Sequence, residues 1–125
     1  MLRQFIGKAM VLFVSLTQSQ LLFAKIFELP IYEVAISPRD RIEANYKFDP
    51  HNQYIVCWET TGFEKQKLIW TFEHQIKEKF LPVVLKANEK IEGEWADTQG
   101  KLIVSNESDK NMMINCVYAV EGWER

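Results

Sequence analysis

The chain has 125 residues, of which 47% are hydrophobic and 26% are charged, and its formal net charge is −2. These values fit a single folded domain and exclude a disordered chain. They also argue against a nucleic-acid-binding protein, because neutralising phosphates requires a clustered basic face. Lysine and glutamate instead alternate along segments such as 73–79, which is typical of a solvated surface.

The first 24 residues differ in character from the rest of the chain. Arg3 and Lys8 give a positive start with no acidic residue, and an apolar run follows over 9–16. A short polar stretch then leads to Ala24. This order is typical of a secretory signal peptide. We therefore predict residues 1–24 as a signal peptide, with cleavage after Ala24, or alternatively after Ser19.

Two other interpretations of the N-terminus stay open at this point: a membrane anchor and a buried first element of the fold. A spanning helix needs about 20 apolar residues, whereas the run here is interrupted by the polar residues of 17–20. Cleavage would leave residues 25–125 as a single domain outside the cytoplasm, with no membrane span after processing. We expect the processed protein to be periplasmic or secreted, and we prefer a bacterial origin.

Strand patterns dominate residues 25–125. The segment 27–36 is expected to be an edge strand, or a strand that begins after Pro30, because proline cannot donate to a ladder. Pro82 likewise interrupts an expected edge strand at 80–87. The polar segment 74–79 is predicted as a loop or one helical turn. The other strands are expected at 43–48, 53–60, 67–73, 91–95, 101–105 and 112–120, separated by turn-forming residues.

This spacing of short strands, with a turn every 8–12 residues, is typical of an all-β sandwich or small barrel. We therefore predict a small antiparallel β-sandwich of seven or eight strands. Trp70 and Phe72 share one face of the alternating segment 67–73, and Ile114 lies on an apolar strand, so all three are expected in the core.

The chain contains two cysteines, Cys57 and Cys116. In an oxidising compartment an even pair in a small domain favours a disulfide. Closing so long a loop stabilises the fold by about 4 kcal/mol in the chain-entropy model. The alternative is two buried, unpaired thiols.

Cys57, Trp70 and Cys116 occur in an order that resembles the Cys–Trp–Cys pattern of immunoglobulin-like sandwiches. The resemblance implies a disulfide that joins the two sheets, with the tryptophan packed against it. The chain departs from that family at Ile114, where an antibody domain has the tyrosine of its corner. The resemblance concerns architecture, and a shared architecture does not define a function.

We find no catalytic, metal-binding or cofactor-binding motif in the sequence, and we predict no cofactor and no enzymatic activity. His51 and His74 lie in separate polar segments without a zinc-ligand spacing. Glu92 and Glu94 flank Gly93 beside Trp95, and in a strand both carboxylates would share a solvated face.

Aromatic residues are the remaining candidates for function. Tyr54 and Trp58 should share the face of their strand that points away from Cys57. A strand with apolar groups on both faces is either central and covered on both sides, or presents an aromatic patch to a partner. Trp123 lies in the C-terminal tail. These three residues are candidates for contact with an unidentified protein partner. We therefore predict an exported, non-enzymatic protein-binding domain, such as an inhibitor or an adhesion or assembly component. The alternative is an exported enzyme or small-ligand carrier with a pocket in the β-core, for example around Glu92, Glu94 and Trp95.

Overall fold

The computed structural model describes residues 26–49, 53–61, 66–88 and 93–120, and it shows an all-β sandwich. The predicted signal peptide lies outside these residues. Ten strands form within them: β1 (Ile26–Glu28), β2 (Ile31–Ile36), β3 (Arg41–Lys47), β4 (Tyr54–Glu59), β5 (Gln66–Phe72), β6 (Gln75–Phe80), β7 (Val83–Lys86), β8 (Glu94–Trp95), β9 (Gln99–Asn106) and β10 (Met112–Ala119).

The strands form two five-stranded sheets. Sheet A has the order β1-β3-β9-β5-β6, and sheet B has the order β2-β10-β4-β7-β8. Six strand pairs are antiparallel among the described residues, while β1 runs parallel to β3 and β8 runs parallel to β7. The predicted all-β sandwich is confirmed. None of the described part of the chain forms a helix long and apolar enough to cross a membrane.

Two Leu-Pro steps carry the chain from sheet A to sheet B. Leu29-Pro30 separates β1 from β2, and Leu81-Pro82 separates β6 from β7; both peptide bonds are cis. Proline has no N–H to donate, so a strand ends at each step. The strand predicted to begin after Pro30 is the edge strand β2. The prediction of an edge after Pro82 is wrong for β7, which pairs with β4 on one side and β8 on the other.

The segment predicted as a loop or helical turn at 74–79 is instead the edge strand β6. It pairs with β5 through a two-residue turn in which Glu73 and His74 both have positive φ, 51° and 63°. Such a turn normally selects Asn-Gly. Here the Asp97 carboxylate accepts hydrogen bonds from the backbone N–H groups of Glu73 and His74, the latter at 3.1 Å. Asp97 thus holds a turn that the local sequence does not encode.

The core lies between the sheets and is built from alternate residues of the long strands. Trp70 is 2% exposed and Ile114 is fully buried. Phe72, also expected in the core, is only half-buried, and it lies at the end of β5 beside the two-residue turn to β6. Phe72 instead contacts Trp95 at a ring separation of 6.3 Å.

Cys57 and Cys116 form the predicted disulfide, and both residues are fully buried in the core. They are direct cross-strand partners on β4 and β10, with Cα atoms 4.2 Å apart. The bond therefore lies within sheet B. It does not join the two sheets as the immunoglobulin-like resemblance implied, although Trp70 of sheet A belongs to the same buried core.

Asn106 closes one end of the sandwich. It is 1% exposed, and its Nδ2 lies within 3.2 Å of the carbonyl oxygens of Ile36, Ser37 and Lys110. Its Oδ1 accepts hydrogen bonds from the backbone N–H and the hydroxyl of Ser108. One buried amide thus ties the turn after β2 to the turn after β9.

Candidate binding face

The outer face of sheet B is apolar at its centre. Val56, Val117 and Ala119 point away from the core, yet they are only 7%, 5% and 2% exposed. Tyr54 and Trp58 pack against them as partly buried side chains. We call these five residues the sheet B outer cluster. It is a second, smaller apolar cluster on a face that could have been solvated.

The register explains why these residues meet. On β4 and β10, Tyr54 lies opposite Ala119, Val56 opposite Val117, and Trp58 opposite Asn115. Residues of matching parity share one face of a sheet. Since Cys57 and Cys116 point into the core, their neighbours on the two strands must point outward. The disulfide therefore joins the two strands that carry the cluster.

Exposed apolar and polar groups surround the sheet B outer cluster. Val84 extends it on β7, directly opposite Val56, and is 41% exposed. Met113 lies farther along β10 and is also exposed. The Tyr54 hydroxyl donates to the Val120 carbonyl oxygen at 2.8 Å, which fixes the ring beside the end of β10. An aromatic ring with a held hydroxyl is a rigid contact element.

Asn115 fixes the neighbouring edge of this face. It is only 6% exposed, and its Oδ1 accepts a hydrogen bond from the backbone N–H of Glu33 at 3.0 Å. Glu33 has a φ of 47°, and the register between β2 and β10 shifts at this point. This bulge gives the β2 edge an irregular backbone.

The outer face of sheet A carries several ion pairs. Lys67 lies 3.3 Å from Glu78 and 3.6 Å from Glu107, while Lys101 lies 3.4 Å from Glu43. The hydrogen bond to Glu78 and the charge of Glu107 raise the pKa of Lys67. Exposed pairs of this kind contribute little to stability. The two outward faces of the sandwich therefore differ in chemistry.

The predicted site residues fall into two groups. Tyr54 and Trp58 share the sheet B outer face as expected, and the structure adds Val56, Val117 and Ala119 to them. Sequence alternation places Val56 with Tyr54 and Trp58 on one strand, but only the pairing of β10 with β4 adds Val117 and Ala119 to that face. Trp123 lies outside the described residues.

The segment considered for a small-ligand pocket contributes instead to the sandwich edge. Glu94 forms an ion pair with Lys79 of β6 at 2.5 Å. The backbone carbonyl of Trp95 accepts a hydrogen bond from the Trp70 indole N–H. These contacts connect β8 of sheet B with sheet A. Glu92 lies outside the described residues.

Two open clefts lie elsewhere on the molecule. One, of about 690 Å³, runs along the turn at 39–41 and the end of β9 at 105–107. The Arg39 guanidinium beside it donates to the Glu107 carbonyl oxygen and to Asp109. The other cleft, of about 310 Å³, includes Phe48 and Gln99 in its lining. Neither is lined by Glu94 or Trp95.

His74 lies in the β5–β6 turn, and His51 is outside the described residues. Within the described ranges, no group of three or more His, Cys, Asp or Glu side chains is arranged to hold a metal ion. The chain matches no protein-family model, and comparisons with curated proteins and with solved structures find no significant match.

Proposed function

We propose that this protein is an exported, non-enzymatic protein-binding domain that contacts its partner through the outer face of sheet B. The observation that carries the proposal is the sheet B outer cluster, in which Tyr54 and Trp58 cover three buried aliphatic residues on an outward face. Tyrosine and tryptophan are enriched among the residues that contribute most to protein–protein binding. Apolar faces of this kind often mark contact surfaces.

The partner that fits this face is a folded protein that presents apolar side chains. Val84 and Met113 continue the apolar surface beyond the cluster on strands β7 and β10. The ion pairs described above lie on the opposite sheet. The central contacts would thus be apolar, as in the cores of most protein interfaces.

Export is supported by two features. The residues at 1–24 have the order of a signal peptide, and the Cys57–Cys116 disulfide is compatible with an extracytoplasmic location. The immunoglobulin-like kinship rests on the Cys–Trp–Cys order alone, and the position of the disulfide within one sheet adds no support to it.

Binding is tested by capturing proteins from the extracytoplasmic fraction with the purified, disulfide-bonded protein, followed by titration of each captured protein. We expect Trp58→Ser to weaken binding by about 30-fold, the effect of a typical interface hot spot. Ile26→Ser is the matched control, because Ile26 is an exposed apolar residue of sheet A. Equal affinities for the two variants would refute the proposed face, provided that both melt at similar temperatures.

Export is tested by the intact mass of the protein from the extracytoplasmic fraction, alkylated with and without prior reduction. We expect a mass that lacks residues 1–24 and gains two alkyl groups only after reduction. A full-length mass with both cysteines alkylated before reduction would contradict export and the disulfide together.

A further inference from the structure

Strand β6 differs from the other three edges of the two sheets. β1 has three residues and β8 has two, so neither offers a long row of backbone groups. β2 carries the bulge at Glu33. β6 has six consecutive residues, all of them exposed, without proline or positive φ. Within the described chain it is therefore the one long, regular edge, the kind of edge to which another strand can add.

The hairpin defines which backbone groups of β6 point outward. The β5–β6 turn has two residues, so Phe72 and Gln75 form its hydrogen-bonded closing pair. Hydrogen-bonded and non-bonded pairs then alternate along the ladder. The backbone N–H and C=O groups of Ile76, Glu78 and Phe80 therefore point away from β5, into solvent.

The side chains of these same three residues lie on the outer face of sheet A. Ile76 is 76% exposed and Phe80 is 54% exposed, with Glu78 between them. Lys77 and Lys79 point to the other face. The edge thus presents an apolar–acidic–apolar row on one face, where Glu78 also pairs with Lys67, and two lysines on the other, of which Lys79 also pairs with Glu94.

Charge argues against a second copy of this chain as the occupant. A continuous sheet across a two-fold axis pairs residues of β6 that share a face. Centring the axis on Glu78 places Glu78 opposite Glu78 and Lys77 opposite Lys79; centring it on either lysine places that lysine opposite itself. Centring it on Ile76 or Phe80 avoids like charges but pairs three residues of β6 or fewer. Like charges directly opposite one another destabilise a strand pair. No two-fold register that pairs more than three residues of β6 therefore avoids a contact between like charges.

We propose that β6 binds an extended segment of another protein by strand addition, with a charge pattern complementary to its own. Opposite Ile76 and Phe80 the segment carries apolar residues, opposite Glu78 a basic residue, and opposite Lys77 and Lys79 acidic residues. The shortest such pattern is apolar–acidic–basic–acidic–apolar. Because it is the same in both directions, it fits a parallel or an antiparallel strand. This site is distinct from the sheet B outer face and does not depend on it.

The test uses the purified, disulfide-bonded protein and a fluorescent peptide with the core Val-Glu-Lys-Glu-Val, titrated by anisotropy at low salt. The control peptide, Val-Lys-Glu-Lys-Val, has the same length and apolar residues with the charges reversed. We expect the first peptide to bind at least about 10-fold more tightly, as opposed pairs along one strand add together. Equal affinities would overturn the proposal.

Two variants at one position separate the backbone contribution from the charge. Glu78→Pro removes an outward N–H that the hairpin ladder does not use, so we expect loss of peptide binding with the hairpin retained. Glu78→Gln keeps the backbone and should bind the peptide while losing the preference for the central lysine. Undiminished binding by Glu78→Pro would overturn the proposal.

Two further measurements distinguish peptide binding at β6 from binding at sheet B and from dimer formation. Trp58→Ser changes the opposite face, so it should bind the peptide as the wild-type protein does, whatever becomes of the function proposed for sheet B. Sedimentation should show a monomer. A dimer that Glu78→Pro abolishes would overturn the proposal in favour of a second copy on this edge.

Discussion

The two sheets are stabilised in different ways. Sheet B contains the Cys57–Cys116 disulfide at its centre and an apolar cluster on its outer face. Sheet A carries ion pairs on its outer face, and single polar side chains such as Asn106 and Asp97 hold its ends. The outward face of a sheet therefore need not be polar. On sheet B this face is apolar and largely buried by its own aromatic side chains.

The largest effect is expected from breaking the disulfide of sheet B. Cys57 and Cys116 are separated by 59 residues, and a closed loop of that length contributes about 4 kcal/mol in the chain-entropy model. We expect the Cys57→Ala/Cys116→Ala variant to lower the free energy of unfolding by this order in urea denaturation. A change below about 1 kcal/mol would show that the register of β4 and β10 is fixed by packing.

A matched pair of charge insertions compares the two outer faces directly. Val117 of sheet B is 5% exposed, whereas Ile103 of sheet A is half-buried and lies opposite Glu43. We expect Val117→Lys to cost about 3 kcal/mol, because it places an unpaired charge in an apolar cluster. Ile103→Lys should cost less than about 1 kcal/mol. Equal losses in chemical denaturation would contradict the difference between the faces.

A smaller effect is expected at the end of sheet A. Asp97→Ala leaves the N–H groups of Glu73 and His74 without their acceptor, and we expect a loss of about 2 kcal/mol with faster amide exchange in β6. The Glu73→Asn/His74→Gly background supplies residues that adopt the turn unaided. In that background Asp97→Ala should lower the free energy of unfolding by clearly less. An unchanged loss would show that Asp97 does not stabilise the protein through this turn.

The smallest predicted effect is a pH dependence of the free energy of unfolding, which arises from Tyr46 of sheet A. Burial raises the pKa of Tyr46 above its usual value of 10.0, so the folded state holds the phenolic proton more tightly than the unfolded chain does. The stabilisation is complete below about pH 10 and is lost as the pH rises through the pKa of the folded state. Compared with Tyr46→Phe, the wild-type protein should lose more unfolding free energy between pH 9 and 11. Parallel curves for the two proteins would contradict this.

Sequence patterns predicted the architecture but not the partition of strands between the sheets. Alternation and turn residues placed most strands, and the cysteine pair indicated the disulfide. The position of that bond within sheet B could not be foreseen, because spacing along the chain does not say which strands become neighbours. Strand β6 was missed because its turn, Glu73-His74, lacks the usual residues and depends on Asp97, more than 20 residues away.

The candidate site was predictable in part. The alternation of side chains along the strand placed Tyr54 and Trp58 on the face opposite to Cys57. The aliphatic residues beneath them belong partly to β10, and only the pairing of β10 with β4 brings the two sets together. The β6 edge could not be predicted at all, because the segment was not recognised as a strand.

The Leu29-Pro30 and Leu81-Pro82 steps connect the sheets on opposite flanks. A sandwich linked on one flank could open about that link, but here each flank has a covalent connection. The two connections therefore limit how far sheet A and sheet B can separate. Association through either sheet would lose little chain entropy, and its affinity would depend on how well the partner matches a shape that is already formed.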